Sequence, residues 1–252
     1  MPAMTYSLED NGIALVVLAN PPMNAMQAGL LEELATLFEG LAGNRDVRAA
    51  VIAGEGRAFS AGLDLKQVPE LDRPGQRRLV DALNDCFGTL YAWPKPLVAA
   101  VNGHAIAGGL ILALCADWRI AAEVPMQVSL AEVRVGVTYP VAALEVARGE
   151  LAPAMARRLV LLGEVLDAAS AVAEGVFDAC VPASQLRGDA LAAAQRHAAL
   201  PPMAFATTKA ELRAVALSRI ASARAGQGEP RLTAWLGEEM RRAASAMLRG
   251  AV

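Results

Sequence analysis

The chain has 252 residues, of which 55% are hydrophobic and 19% are charged, and its formal net charge at neutral pH is −3. This composition indicates a globular protein of one or two domains, which can bury a large core without disulfide bonds or a structural metal. The slight acidic excess and the absence of a basic cluster argue against nucleic acid as a partner.

Cysteine spacing favours a protein of a reducing compartment, and hydropathy argues against a membrane-spanning segment. Cys86, Cys115 and Cys180 lie far apart and form no C-x-x-C pair, which argues against a zinc module and against a disulfide framework. The longest apolar run, residues 105–116, is too short to cross a membrane. Residues 1–10 contain acids but no base, unlike a secretory signal. We therefore expect a cytoplasmic protein with no membrane partner.

The first half of the chain alternates predicted strands and helices. Residues 12–19 form an apolar run between turn residues, which predicts a buried strand, and residues 27–41 place leucines at helical spacing. Residues 49–53 predict a second buried strand. A second amphipathic helix covers residues 79–90 and ends before a Pro-Lys-Pro break, after which residues 97–101 predict a third strand.

This alternation of buried strands with helices predicts an α/β architecture whose sheets are covered on both faces. Beyond Gly136 alanine becomes frequent, and residues 176–181 are the remaining strand candidate. The segments that predict helices there are 186–200, 204–224 and 230–248. We therefore divide the chain into a core of residues 1–190 and a helical C-terminal module of residues 191–252.

Three familiar site motifs are approached by this sequence but lack required residues. The glycine-rich stretch 103–109 has the spacing of a phosphate-binding P-loop, but glycine and leucine stand where lysine and a hydroxyl residue are needed. Residues 54–56 begin a dinucleotide-binding fingerprint that Phe59 interrupts. Ser60 lacks the preceding glycine of a nucleophile elbow, and two histidines in the whole chain supply a Ser-His triad poorly.

Two turns of small residues, 57–66 and 102–109, each follow a predicted buried strand and precede a helix. Such turns expose backbone N–H groups at a helix N-terminus, and two converging turns would form an oxyanion hole. The alternative is that Gly62, Gly108 and Gly109 only permit tight turns and close helix packing.

Several motifs together resemble the crotonase (enoyl-CoA hydratase/isomerase) superfamily in order and spacing. The motifs are Asn20–Met26, Phe59–Leu65, Val101–Gly109, Cys115–Asp117 and Leu130–Gly136. The resemblance runs from about residue 6 to residue 215. It implies a spiral of ββα units, followed by a helical C-terminal module that assembles a homotrimer or a dimer of trimers. It also implies an acyl-CoA substrate, with coenzyme A as part of the thioester, no further cofactor and no metal.

The resemblance further implies roles for individual residues. The backbone N–H groups of Leu63 and Gly108 would hold the thioester carbonyl, and carbonyl groups near Ala61 and Asp64 would hold the adenine. Lys66 would contact a phosphate, or else be a solvated helix lysine. The remaining residues implied in substrate binding are Ala25, Gly62, Gly109, Ile111 and Tyr139.

Carboxylates decide the reaction in this superfamily, and here a single glutamate occupies the family positions. Hydratases resembling this sequence carry two glutamates, of which the first position is Ile111 here and the second is Glu132. One carboxylate among apolar residues suits a shuttle that moves a proton from C2 to C4 of a 3-enoyl-CoA, and burial should raise its pKa. The pattern is similar to that of mitochondrial-type 3,2-trans-enoyl-CoA isomerases. We expect the Ile111 side chain to face Glu132 across the same pocket.

Other readings stay open at this point. They are a hydratase, a dehydratase or a decarboxylase of the same superfamily, a catalytically inactive CoA-ester-binding protein, and Glu132 as an ordinary surface acid. A dienoyl-CoA isomerase is disfavoured, because Tyr139 and Pro140 stand where its second acid belongs. We predict structural roles for the acids Asp117 and Glu145.

Overall fold

The computed structural model describes residues 2–64 and 67–225. Its strands are β1 (Met4–Leu8), β2 (Ile13–Leu18), β3 (Ala49–Gly54), β4 (Ala58–Ser60), β5 (Leu97–Val101), β6 (His104–Ile106), β7 (Trp118–Ala122), β8 (Val128–Ser129), β9 (Val165–Leu166) and β10 (Ala179–Val181). Its α-helices are α1 (Ala28–Gly43), α2 (Arg73–Tyr91), α3 (Gly108–Leu114), α4 (Val141–Glu150), α5 (Pro153–Ala156), α6 (Ala168–Ala173), α7 (Leu186–Ala198), α8 (Pro202–Leu212) and α9 (Ala214–Arg224). Within this part of the chain, no helix is both long enough and apolar enough to span a membrane.

The larger sheet has six strands in the order β1-β2-β3-β5-β7-β10. Strand β1 pairs antiparallel with β2, and the other neighbours are parallel. Strand β5 is buried along its whole length, and β2 and β3 are buried along most of theirs, as expected for parallel strands covered on both faces. The predicted strands at 12–19, 49–53 and 97–101 are therefore confirmed.

A second sheet of four short strands, β4-β6-β8-β9, carries the loops of the site. Strands β4, β6 and β8 run parallel and follow β3, β5 and β7 along the chain, so each pair sends one strand to each sheet. Helices α2, α3 and α4 follow the three pairs. This arrangement confirms the repeated ββα fold that the resemblance implies.

The short strands correct one prediction about the turns. The first turn, at residues 61–64, leaves β4 and is followed by an α-helix only at Arg73, so it does not lie at the N-terminus of an α-helix. The second turn leaves β6 and opens α3 at Gly108, as predicted. The sequence did not indicate β4 or β6, because three residues are too few to show a period.

The two long helices that leucine spacing predicts are α1 and α2. In α1 the buried side chains are at helical spacing and include Leu30, Leu34 and Phe38. Helix α2 is preceded by the N-cap residue Asp72, whose carboxylate accepts the N–H of Gly75 at 2.8 Å. The two helices pack against each other.

The C-terminal part of the described chain is helical, and its division from the core stays a prediction. Residue 190 lies inside α7, whose buried alanines pack on strands β3, β5 and β7 of the larger sheet. The predicted helix at 204–224 consists of two helices, α8 and α9, which meet at Arg213. The predicted helix at 230–248 lies outside the described residues.

Buried ion pairs attach α8 and α9 to the core. The Asp117 carboxylate lies 2.8 Å from Lys209 and 3.2 Å from Arg213, and Arg213 also lies 3.0 Å from Glu150. Glu145 pairs with arginines of α4 and α9. Both Asp117 and Glu145 are thus engaged in structural contacts, as predicted.

Candidate active site

A cavity of about 540 Å³ lies where the parallel strands β4, β6 and β8 end. The carboxyl ends of parallel strands meet at one edge of a sheet, which is why three separate loops reach the same space. Helices α2 and α4 also contribute to its wall. The described lining residues are Asn20, Pro21, Pro22, Met23, Ala25, Gln27, Ala61, Leu63, Asp64, Gln67, Leu83, Phe87, Ile106, Ala107, Gly108, Ala131, Glu132, Val135, Val137, Pro140 and Ala143.

The loop after β4 is held by the segment that precedes α1. Met26 and Leu63 form a parallel bridge, in which the Met26 N–H donates to the Gly62 carbonyl at 2.8 Å. The Asp64 N–H donates back to the Met26 carbonyl at 3.4 Å. Successive backbone groups of an extended segment point to alternate sides, so the Leu63 N–H points away from Met26.

The loop after β6 contains an unusual backbone conformation. Ala107 has φ +52° and ψ −124°, a region that residues with a side chain rarely adopt and that costs about 1–3 kcal/mol. The Ala107 N–H donates to the Ser129 carbonyl at 2.8 Å, which ties the loop to β8. The strained residue sets the orientation of the next peptide, which carries the Gly108 N–H. Nothing in the sequence signalled this conformation.

The two loops touch each other at glycines. Gly62 has φ +76°, and a methyl group added there would lie 3.1 Å from the Gly108 nitrogen. Within residues 2–64 and 67–225, the N–H groups of Leu63 and Gly108 have no protein acceptor. The cavity wall therefore offers two unpaired backbone donors from adjacent loops, the arrangement that stabilises a developing oxyanion.

Two predicted substrate contacts lie in the core instead. Gly109 packs on the backbone carbonyl of Ser60, and an added methyl group would overlap that oxygen. Ile111 is completely buried. Neither is among the described residues of the cavity wall. Helix α3 is buried on all sides, which is why these residues pack in the core. That Ile111 faces Glu132 stays a prediction.

Glu132 is the buried acid of the site. It begins a short 3₁₀ helix, Glu132–Val135, lines the cavity and is 8% exposed. Its Oε2 atom is buried and has no partner among the described residues. Burial raises the pKa of Glu132 to about 7, although its own backbone N–H and the Tyr139 hydroxyl act in the opposite direction. A carboxyl group with this pKa can both accept and return a proton near neutral pH.

The remaining predicted residues divide by position. Ala25, Ala61 and Asp64 line the cavity. Gly62 and Tyr139 lie outside its described wall, with Tyr139 placed beside Glu132, and Lys66 lies outside the described residues. The described residues contain no cluster that could hold a metal ion.

The sequence did not indicate most of the apolar residues of the cavity wall, and it did not indicate the structural role of Asn24. Leu83 and Phe87 lie in the amphipathic helix predicted at residues 79–90, but periodicity does not separate a core contact from a cavity contact. Asn24 is 1% exposed, and its side-chain amide donates to the Glu55 and Ala58 carbonyls at 3.0 and 2.8 Å. The signal that could have found it is a lone asparagine between apolar residues.

Comparison with known proteins places this geometry in a family. The sequence matches the family model described as enoyl-CoA hydratase/isomerase over residues 9–233. The chain belongs to the enoyl-CoA hydratase/isomerase family. Its cavity, its paired N–H donors and Glu132 are thus features of a family member.

Some similar proteins are named as enoyl-CoA hydratases and others as enoyl-CoA isomerases. A probable enoyl-CoA hydratase of Mycobacterium tuberculosis, EchA17, is 32% identical over 80% of this chain and 77% of its own. The human mitochondrial enoyl-CoA delta isomerase 1 is 30% identical over 84% of this chain and 71% of its own. The crystal structure of human mitochondrial delta3-delta2-enoyl-CoA isomerase superposes with a TM-score of 0.93 at 26% identity, covering 99% of this chain and 98% of that one.

Proposed function

We propose that this family member is a 3,2-trans-enoyl-CoA isomerase, with Glu132 as its single acid and base. The observation that carries the proposal is the buried carboxyl group of Glu132, with one oxygen unpaired, in a largely apolar wall. The similarity to proteins named as delta isomerases supports it.

In the proposed reaction the thioester oxygen accepts hydrogen bonds from the N–H groups of Leu63 and Gly108. Glu132 takes a proton from C2, the C2–H bond breaks, and negative charge spreads over C2, C4 and the thioester oxygen. Glu132 then gives the same proton to C4. The C3=C4 double bond becomes C2=C3, so no atom is gained or lost and no cofactor is consumed.

The remainder of the substrate would follow the first loop. Carbonyl groups near Ala61 and Asp64 would hold the adenine of coenzyme A, and Lys66 would meet a phosphate. Asp64 also lines the cavity, but it is partly exposed, so it is the less suited of the two acids to carbon-acid chemistry. We further propose a homotrimer or a dimer of trimers, located in the cytoplasm.

Hydration of a 2-enoyl-CoA is the second candidate, because relatives such as EchA17 are named probable hydratases. A hydratase of the two-glutamate type would need a second carboxylate to position water. In this chain the corresponding position is Ile111, which is completely buried. Dehydration, decarboxylation and CoA-ester binding without turnover are weaker alternatives, as no observation favours one of them.

One optical assay separates the candidates. Isomerisation of 3-hexenoyl-CoA creates a conjugated enoyl thioester and raises its ultraviolet absorbance, whereas hydration of crotonyl-CoA lowers it. We expect the first change and not the second. Hydration alone would establish the second candidate, and no change with either substrate would leave the weaker alternatives, binding without turnover among them.

The Glu132→Gln variant tests the assigned residue. It should lose isomerisation by at least roughly 10²-fold while it retains affinity for the CoA ester, because the amide keeps the shape but not the base. Glu33→Gln makes the same change at an exposed position of α1 and should keep full activity. Near-normal turnover by Glu132→Gln would refute the assignment.

A further inference from the structure

The cavity changes character between its mouth and its interior. Gln27 and Gln67 line it and are exposed, so they mark the side that faces solvent. The helical part of the wall is buried instead, since Leu83 and Phe87 of α2 and Ala143 of α4 are each at most 2% exposed. A ligand that enters from solvent therefore passes polar residues first and reaches an apolar interior.

The interior offers almost no polar side chain. Among the described residues of the wall, Glu132 is the one polar residue that is buried. A hydroxyl or carboxylate group that enters the helical part beyond Glu132 would lose its hydration and find no polar side chain to pair with, which is strongly unfavourable. That part of the cavity therefore suits an unsubstituted aliphatic chain.

The aliphatic part of the wall starts beside one of the two backbone donors. A methyl group added at Gly108 would lie 3.6 Å from the Cζ atom of Phe87, so the ring of Phe87 adjoins this donor. Leu83 precedes Phe87 by one helical turn and lies on the same face of α2. From Gly108 the wall therefore continues along α2, from Phe87 to Leu83.

Helices α2 and α4 meet at the far end of this wall. The side-chain oxygen of Asn84 accepts the N–H of Ala142 at 2.9 Å, so the two helices are joined there. The residues next to this hydrogen bond, Leu83 and Ala143, both line the cavity. The junction of the helices closes the space between them, and these two side chains form its inner end.

We propose that Leu83 and Ala143 determine which acyl chains this protein accepts, and that it binds CoA esters of unsubstituted aliphatic acids whose chain ends at these two side chains. The inference rests on the proposed function, which places the thioester at Leu63 and Gly108. Each methylene buried along the wall should improve affinity about fourfold. Carbons beyond the inner end should add nothing, so the protein has a length limit.

The side chains at the inner end should set this limit carbon for carbon. Leucine and alanine differ by three carbon atoms, and protein interiors are closely packed, so exchanging one for the other should move the limit by about two or three methylenes. Leu83→Ala should move it to longer chains, and Ala143→Leu should move it to shorter ones.

Calorimetric titration with saturated esters, from butanoyl-CoA to hexadecanoyl-CoA, measures the limit without turnover. Leu90→Ala is the matched control, because it makes the same change at a buried position of α2 that is not among the described residues of the wall. It should leave the limit unchanged. Thermal melting shows whether each variant folds, and if Ala143→Leu does not, then Leu83→Ala and its control decide alone.

A second pair of ligands tests the chemical class. Adipoyl-CoA should bind at least roughly tenfold more weakly than hexanoyl-CoA, because its terminal carboxylate would enter the apolar interior. Equal affinities for these two esters, an unmoved limit in Leu83→Ala, or an equal move in Leu90→Ala would overturn the proposal. A limit that moves as expected in a protein that does not isomerise 3-hexenoyl-CoA would defeat the proposed function alone. Isomerisation with an unmoved limit would defeat this inference alone.

Discussion

At the scale of single residues, the site keeps a carboxyl group out of water at a cost to folding. The pKa of Glu132 is about 7 in the folded chain, against an ordinary value of 4.5. Its neutral form is therefore the one that folding favours. The contribution of this group to stability is fully present below about pH 4.5 and is lost as the pH rises through about 7.

Glu132→Gln should consequently stabilise the fold at alkaline pH. An amide is neutral at every pH, so the variant should exceed the wild type by up to about 3 kcal/mol in the free energy of unfolding near pH 8. The difference should shrink toward pH 5. Urea unfolding at both pH values measures it, and a difference that does not depend on pH would show that Glu132 is not buried as an acid.

Neighbouring glycines of the second loop should differ sharply in tolerance. In Gly109→Ala the methyl group would overlap the Ser60 backbone, which cannot move cheaply, so stability should fall by at least about 2 kcal/mol. In Gly108→Ala it meets the flexible Met26 side chain at 3.2 Å, so the loss should stay under about 1 kcal/mol. Catalytic efficiency should nevertheless drop by at least roughly tenfold in Gly108→Ala, because the group narrows the approach to the N–H donors.

Chemical denaturation and kinetics of the two variants provide the check. Equal stabilities, or full activity in Gly108→Ala, would contradict the assigned positions. The contrast matters because both glycines were expected to contact the substrate, whereas only Gly108 is among the described residues of the cavity wall.

Family position, rather than local pattern, singled out the residues of the cavity wall. Leu63, Gly108 and Glu132 occupy family motif positions, and all three line the cavity. The complete burial of Ile111 could not be predicted in this way, since it depends on how α3 is enclosed. The conformation of Ala107 could not be predicted either, because it is imposed by contacts with a distant strand.

At the scale of elements, α2 both closes the cavity and holds a second helix of its wall. Leu83 and Phe87 of α2 line the cavity, and Asn84 between them accepts the N–H of Ala142 at 2.9 Å, near the start of α4. Helix α4 contributes Ala143 to the same wall. One helix therefore fixes the spacing of two sides of the cavity.

Asn84→Ala should destabilise the fold by about 1–2 kcal/mol, because the buried N–H of α4 loses its acceptor and water cannot replace it. Asp72→Ala removes the comparable cap of α2 at an exposed position, where water can substitute, and should cost less. Urea unfolding of both variants compares them. An equal or smaller loss in Asn84→Ala would show that the bond does not support α4.

Whether a strand or helix could be predicted from the sequence depended on its length and composition. Strands β2, β3 and β5 and helices α1 and α2 were predicted, because apolar runs and leucine periods mark them clearly. Strands β4, β6, β8 and β9 have two or three residues, and α4 is rich in alanine, so neither shows a period. Of these unpredicted elements, β4, β6 and β8 carry the loops of the site and α4 forms part of the cavity wall. The full cavity wall could therefore be identified only from the structure.

At the scale of the whole molecule, a buried charge network joins the C-terminal helices to the core. Asp117→Asn keeps an oxygen for the backbone N–H of Leu97 but removes the charge that faces Lys209 and Arg213. Leaving two buried cations short of a partner should cost about 3–5 kcal/mol.

Arg78→Ala serves as the surface control, because Arg78 and Glu32 form an exposed pair whose loss should cost under about 1 kcal/mol. Denaturant midpoints report both changes, and limited proteolysis reports whether α8 and α9 detach. Similar losses in the two variants would show that the network contributes no more than a surface pair.

The short strands of the smaller sheet have a kinetic consequence. Strands β4, β6 and β8 each carry one loop of the site, and each pairs only with strands distant along the chain. The three loops therefore meet after long-range closure rather than with local helix formation. A ligand that touches all three loops has nothing to bind in a partly folded chain. Its entire binding free energy therefore stabilises the native state relative to the partly folded chain. The lifetime of the protein against proteolysis should therefore lengthen as that ligand accumulates, so that turnover of the polypeptide follows the supply of what it binds.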